Sequence, residues 1–168
     1  MPAGPTYEPI ATQTLASSAA SVTFSSIPQT YTDLVLVMWT KPYSSSEGAI
    51  KLNWNSDTGS NYSNTHLTGE SAGAVSGRNT SATSIAVTTG NSLNNPRQPI
   101  YITNIMNYSN TTTYKTSLTR TSESSADVDA WVGLWRSTSA ITSITVNVTY
   151  IFNIGVGSTF TLYGIKSA

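Results

Sequence analysis

Apolar and polar side chains alternate with a period of two along most of the chain. Ile50, Leu52 and Trp54 share one face of a segment whose other face carries Lys51 and Asn53. This period is that of a β-strand with one buried face. The same alternation recurs in seven further segments, which are Val22–Phe24, Ile85–Val87, Ile100–Met106, Tyr114–Leu118, Val128–Trp135, Ile144–Phe152 and Thr159–Ile165.

One run lacks the alternation, and five stretches interrupt the strands. Asp33–Trp39 is apolar on both faces, which predicts a central strand covered on both sides. Residues rich in Gly, Pro, Asn and Ser mark the turns, and the stretch from Gly69 to Thr80 is predicted to be the most flexible loop. The other predicted turns are Lys41–Gly48, Asn55–Asn61, Asn94–Pro96 and Gly155–Gly157.

The pattern predicts an all-β fold. No segment shows a convincing 3.6-residue period, and about ten short strands separated by turns are typical of a sandwich or barrel. Two packed antiparallel sheets would bury one face of each strand, so we expect a jelly-roll-like antiparallel β-sandwich in a single domain. Residues 1–6, with Pro2 and Pro5, are predicted to form an extended N-terminal arm before a β-sandwich domain at 7–168.

Composition excludes several classes of partner and site. Eight basic and eight acidic residues balance, which leaves no basic footprint for nucleic acid and no polybasic membrane anchor. No window is long and apolar enough to span a membrane, and the N-terminal residues lack the basic-then-apolar pattern of a Sec signal peptide. The chain has no Cys, which excludes disulfides and thiolate sites.

Candidate catalytic residues are few. His66 is the sole histidine, so a Ser-His-Asp arrangement would have to use it. Asp127 and Asp129 would share a strand face beside Trp131, where two carboxylates could act as a glycosidase pair. The simpler interpretations are an ordinary histidine and a polar start to a strand, and we therefore expect a protein that is not an enzyme.

The metal and cofactor patterns are incomplete. Asn53–Gly59 has oxygen donors at alternate positions, as in a calcium loop, but Asn64 stands where an EF-hand has its closing Glu. The glycines at 69, 73 and 77 are not followed by the Lys-Ser/Thr of a phosphate-binding loop. We interpret the first stretch as a hydrogen-bonded turn and predict no metal or cofactor.

Aromatic residues and the N-terminal arm are the candidate contact residues. Trp131 and Trp135 lie on one face of a strand whose other face is already apolar, so we expect them at a subunit interface or a sugar platform. The arm, with Pro2, Pro5 and Tyr7, could pair with the sheet edge of a neighbour.

Six strings of the sequence together carry a resemblance to a known family. They are Thr6–Leu15, Val22–Leu34, Asp57–Ser63, Ile105–Lys115, Val132–Thr138 and Gly157–Lys166, so the resemblance extends from about Thr6 to Lys166. In this combination they resemble a family of short virion proteins of tailed bacteriophages from aquatic and cyanobacterial hosts. The resemblance implies a β-sandwich that assembles, as a homotrimer, on the outside of a capsid or in a tail appendage after synthesis in the host cytoplasm.

Two functions follow as hypotheses from this resemblance and the composition. The first is a capsid decoration (cement) protein that binds across major capsid subunits or other virion proteins and stiffens the shell by contact area. The second is a tail-fibre or receptor-binding module that recognises host-surface glycan through Trp131 or Trp135. Small size, neutrality and the lack of a fibrous repeat favour the first.

Overall fold

The computed structural model describes residues 6–41, 48–70, 73–88, 98–122, 128–149 and 153–166. These residues form twelve β-strands and no helix, hence no helix that could cross a membrane. The strands are β1 (Tyr7–Thr14), β2 (Ser21–Phe24), β3 (Asp33–Trp39), β4 (Ile50–Trp54), β5 (Tyr62–Glu70), β6 (Gly73–Ala82), β7 (Ile85–Ala86), β8 (Ile100–Met106), β9 (Lys115–Ser122), β10 (Val128–Trp135), β11 (Ile144–Val148) and β12 (Thr159–Ile165).

The strands pair into two sheets of unequal size. The larger sheet has the order β1-β12-β3-β8-β9-β10-β5-β6, and the smaller has the order β2-β11-β4-β7. All neighbouring strands are antiparallel. The predicted all-β antiparallel sandwich is therefore confirmed, with twelve strands in the described residues where the sequence predicted about ten.

The connectivity is that of a jelly roll with two additional hairpins. The four-strand sets β1-β12-β3-β8 and β2-β11-β4-β7 form the two sheets of an eight-stranded jelly roll. The hairpin β5–β6 follows β4, and the hairpin β9–β10 follows β8; both join the same edge of the larger sheet. The result is a platform of four strands that extends the larger sheet beyond the jelly roll.

The core fills the space between the two sheets, because alternate residues of facing strands point inward. Its largest fully buried side chains include Trp54, Tyr62, Tyr101 and Tyr108, each of which has the bulk to span much of that space. The aliphatic and remaining aromatic members include Leu34, Leu36, Met38, Ile50, Leu52, Ile85, Ile144, Val146, Phe160 and Leu162. On β3, Val35 is buried as well, and Val37 and Trp39 are half-buried, as expected for a strand covered on both sides.

One predicted loop is a pair of strands. The described residues between Gly69 and Thr80 form the end of β5 and most of β6, where the sequence predicted the most flexible loop. Glycine and serine disfavour strands, but hydrogen bonds to a neighbouring strand override that local preference. Other predictions lie outside the described residues: Pro2, Pro5, Asp127, Tyr150, Phe152 and the turn at Asn94–Pro96.

Candidate functional site

The two tryptophans of β10 point into the protein. Trp135 is 3% exposed and Trp131 is 6% exposed, so neither presents a ring to solvent. The expectation that these rings lie on the surface is therefore wrong, and a contact of Trp131 or Trp135 with a partner stays a prediction. The outward face of β10 carries Val128 and Val132, which are 64% and 50% exposed.

Trp135 belongs to an aromatic cluster under the platform. Its ring stacks on Tyr62 at 6.3 Å and meets the edge of Trp54 at 5.9 Å. Its Nε1 donates a hydrogen bond to Asp57 Oδ2 at 2.6 Å. Tyr62 donates through its hydroxyl to the Asp57 carbonyl oxygen at 3.1 Å, which ties the β4–β5 turn to the same cluster. Trp135 is therefore part of the support of the larger sheet.

Asp57 is held by N–H donors and is not arranged as a cation ligand. Its Oδ1 accepts from the Gly59 backbone N at 2.8 Å, and its Oδ2 accepts from Asn61 Nδ2 at 2.9 Å as well as from Trp135. Burial raises the pKa of Asp57, but the hydrogen bonds from Trp135, Asn61 and Gly59 outweigh it and lower the pKa below its ordinary value. The stretch Asn53–Gly59 is accordingly a hydrogen-bonded turn, as the sequence favoured.

The two described candidate catalytic residues differ in burial: His66 is half-buried, and Asp129 is buried. His66 stacks on Trp131 with a centroid distance of 4.3 Å, and the Gly77 backbone covers its other side. Asp129 is 1% exposed and accepts a hydrogen bond from the Thr68 hydroxyl at 2.5 Å. Within the part of the chain that the structure describes, no group of three or more His, Asp or Glu side chains could hold a metal ion.

The outward face of the larger sheet from β8 to β5 is an apolar surface that no other described element covers, hereafter the apolar face. Because β8, β9, β10 and β5 are in register, their outward side chains form continuous rows across the sheet. Leu67 is 57% exposed and Ile100 is 43% exposed, in addition to the two valines of β10. The apolar face comprises Leu67, Ile100, Ile102, Leu118, Val128, Ala130, Val132 and Leu134.

A depression lies at one end of the apolar face. It has a volume of about 550 Å³ and is lined mainly by Leu67, Ile100, Ile102, Val128 and Ala130, with Arg120 among them. Small residues create the concavity, since Ser122, Gly69 and Ala74 occupy the row that contains Ile100 and Val128. The shape fits apolar side chains of a partner.

Arg120 is the one cationic residue among the described residues that line this depression. It lies in one row with Ile102, Ala130 and Leu67. It is exposed, and no ion pair to it exists among the described residues. An unpaired guanidinium surrounded by apolar side chains is the kind of group that anchors interfaces, because a partner carboxylate can bind both of its N–H edges.

A second, polar depression of about 440 Å³ lies beside the smaller sheet, lined by Lys51, Asn53, Thr58 and Ser84 among others. Asn53 is already engaged there, because its Nδ2 donates to the carbonyl oxygens of Asp57 and Thr83, both at 2.7 Å. No aromatic side chain lines it among the described residues. It therefore lacks the ring on which a sugar would stack.

Tyr7, the remaining predicted contact residue, is 59% exposed at the start of β1. Its ring meets the edge of Tyr163 at 6.4 Å on the outward side of the larger sheet. Tyr7 is available for a contact, whereas Pro2 and Pro5 lie outside the described residues.

No protein-family model matches the sequence, and no curated protein matches it significantly.

Proposed function

We propose that this chain is a non-enzymatic structural protein of a bacteriophage virion, a capsid decoration protein that stabilises the shell by binding across major capsid subunits through its apolar face. The observation that carries the binding role is the exposure of Leu67, Ile100, Val128 and Val132 on one side of a sheet. Soluble proteins seldom expose contiguous apolar surface unless it binds a partner.

The chemistry of the apolar face supports protein contact. Its centre is aliphatic and includes one arginine, and its margin carries hydroxyl groups such as Thr65, Thr116 and Ser122. An apolar centre with a polar rim is the usual anatomy of protein interfaces. Arg120 would pair with a carboxylate of the partner, and the depression would receive an apolar side chain.

The assignment to a virion rests on the resemblance of the sequence to short tailed-phage proteins. The jelly roll is compatible with it, because viral capsid proteins use this fold, but lectins and other proteins use it too. The burial of Asp129 and the stacking of the half-buried His66 on Trp131 support a role without catalysis. The alternative, a host-glycan role in a tail fibre, needs exposed aromatic rings beside hydroxyl and amide groups. The burial of Trp131 and Trp135 makes this alternative the less supported one.

The test is a binding assay on virions. Particles that lack the chain would be mixed with the purified protein, sedimented and imaged, and shell stability would be measured by heating. We expect the wild-type protein to decorate the shell and raise its disruption temperature. Val128→Asp and Val132→Asp should abolish decoration, because each places a carboxylate in the apolar contact.

The matched control is Ser139→Asp, which adds the same charge at an exposed position outside the platform. This variant should decorate like the wild type. Density on the tail alone, or decoration that survives both valine substitutions, would reject the proposal.

A further inference from the structure

The free edge of β6 is the least protected sheet edge among the described residues. β6 has ten residues, and eight of them are exposed. It pairs with β5 on one side, and no backbone hydrogen bond to its other side is present among the described residues. A long exposed edge offers a row of unpaired N–H and C=O groups to another strand.

The other three edges are short or interrupted. In the smaller sheet, β2 has four residues and β7 has two. In the larger sheet, β1 contains Pro9 and a shift of register between Pro9 and Ala11. Proline, irregular register and shortness are the features by which proteins prevent edge pairing. β6 has no proline, and Arg78 is its single charged residue. Its own register shift lies near its C-terminal end, between the pairs Asn64–Asn79 and Tyr62–Ala82, and leaves Gly73–Asn79 regularly paired with β5.

We propose that β6 pairs with β6 of a second copy of this chain, antiparallel about a two-fold axis, so that the two larger sheets join into one. Each copy presents the same unprotected edge, and a two-fold arrangement satisfies both edges at once. The complex is a dimer, which differs from the homotrimer implied by the resemblance. The inference is independent of the apolar face and of the virion setting.

Symmetry restricts the register of the pair. A two-fold axis perpendicular to the joined sheet keeps each side chain on its own face of that sheet, so residues that face each other across the axis must lie on the same face. Ser76 and Arg78 both lie on the outward face. An axis at Arg78 would place the two guanidinium groups opposite each other. An axis at Gly77, close to the middle of β6, places Ser76 opposite the partner's Arg78 and pairs most of the strand.

This register makes position 76 a sensitive probe. Ser76→Lys places a cation opposite the partner's Arg78 at two symmetric sites, and we expect the dissociation constant of the dimer to rise about tenfold. Ser76→Glu places a carboxylate there, and we expect the constant to fall by about the same factor. Ser76 is exposed, so both variants should keep the wild-type melting temperature at concentrations where the chain is monomeric.

The experiment is sedimentation equilibrium of the purified full chain over a range of concentrations. We expect a dimer of twice the 17.8 kDa chain mass. Ser21→Lys, an exposed substitution on the short edge strand β2, is the matched control and should dimerise like the wild type. Because the chain has no Cys, the double variant Ser76→Cys and Arg78→Cys should form an intermolecular disulfide in air.

A monomer at all concentrations, a trimer, or a dimer that Ser76→Lys leaves intact would overturn the proposal. Weakening by Ser76→Glu would overturn the register centred at Gly77. The measurement uses the isolated chain, so its failure is distinguishable from failure to bind virions.

Discussion

The indole Nε1 of Trp135 donates a hydrogen bond to Asp57 Oδ2 at 2.6 Å, and this bond fixes the β4–β5 turn to the inner face of β10. Trp131 lies on the same face of the same strand, yet its Nε1 is buried without a hydrogen-bond partner. The two tryptophans therefore differ in whether the indole N–H is hydrogen-bonded, in addition to their different ring partners. This difference can be measured.

Replacing each tryptophan by phenylalanine isolates the hydrogen bond. Both variants lose similar ring volume, but only Trp135→Phe also loses a donor to an ionised carboxylate. A hydrogen bond to a charged group contributes about 1.5–3 kcal/mol. We therefore expect Trp135→Phe to lower the free energy of unfolding by about 2 kcal/mol more than Trp131→Phe, as measured by urea denaturation. Equal losses would show that the bond to Asp57 contributes little.

The lowered pKa of Asp57 predicts a pH dependence of stability. Hydrogen bonds from Trp135, Asn61 and Gly59 favour the ionised form in the folded protein, although burial opposes them. The folded chain therefore binds a proton less readily than the unfolded chain. Stability from Asp57 is complete above its ordinary pKa of 3.8 and decreases as the pH falls from there through the folded pKa.

The check compares the wild type with Asp57→Asn by urea denaturation from pH 7 to pH 3. At pH 7 we expect the variant to be less stable by about 1–3 kcal/mol. Both carboxylate oxygens of Asp57 accept hydrogen bonds from N–H groups, whereas the amide of Asn has only one accepting oxygen. That difference should decrease below pH 4. Glu8 also has a lowered pKa, chiefly through its hydrogen bond from Lys166, and it contributes the same background slope to both proteins. A difference constant with pH would contradict the prediction.

The sequence predicted the sandwich but not the orientation of β10. Strict alternation identified β4 and β11, because each has one clearly polar face. β10 has two apolar faces, aliphatic on one side and with Trp131 and Trp135 on the other, so alternation alone could not decide which one is buried. The larger rings bury more surface, and Gly133 between them allows close packing, which turns the valines outward.

β5 and β6 could not be predicted for a different reason. Their serine, glycine and threonine residues have low hydrophobicity, and β6 buries little surface of its own. Its conformation depends on pairing with β5, a non-local interaction that a local pattern does not contain. The apolar face could not be predicted from the sequence for the same reason, because Leu67 joins it only through the register of β5 with β10.

Gly133 and Gly69 form a matched pair of strand glycines. A Cβ at Gly133 would lie 2.7 Å from Ile85 Cγ2 and 2.8 Å from Ser117 Oγ, whereas one at Gly69 would meet nothing closer than the Val128 carbonyl oxygen at 3.9 Å. We expect Gly133→Ala to destabilise the fold by about 1–3 kcal/mol through overpacking. Gly69→Ala should be neutral or slightly stabilising. Thermal denaturation checks both, and equal effects would exclude the close packing of β7 on β10.

Valine substitutions on opposite sides of the fold test whether the apolar face is free surface. Val132 is half exposed on the larger sheet, and Val146 is fully buried in the smaller one. Val132→Ser should change the free energy of unfolding by no more than about 0.5 kcal/mol, because an exposed side chain loses few contacts. Val146→Ser should cost about 2 kcal/mol or more, since it leaves a cavity and buries a hydroxyl.

The exposed valines of β10, Val128 and Val132, also predict the binding of a fluorescent dye. Exposed apolar surface binds anilinonaphthalene sulfonate, so the native protein should raise the fluorescence of this dye, and the double variant Val128→Ser and Val132→Ser should reduce the signal while remaining folded. If Val132→Ser destabilised the chain as much as Val146→Ser, the apolar face would be covered by a segment of the same chain and would not be available to a partner. Unchanged dye binding would likewise place the exposed apolar surface elsewhere on the molecule.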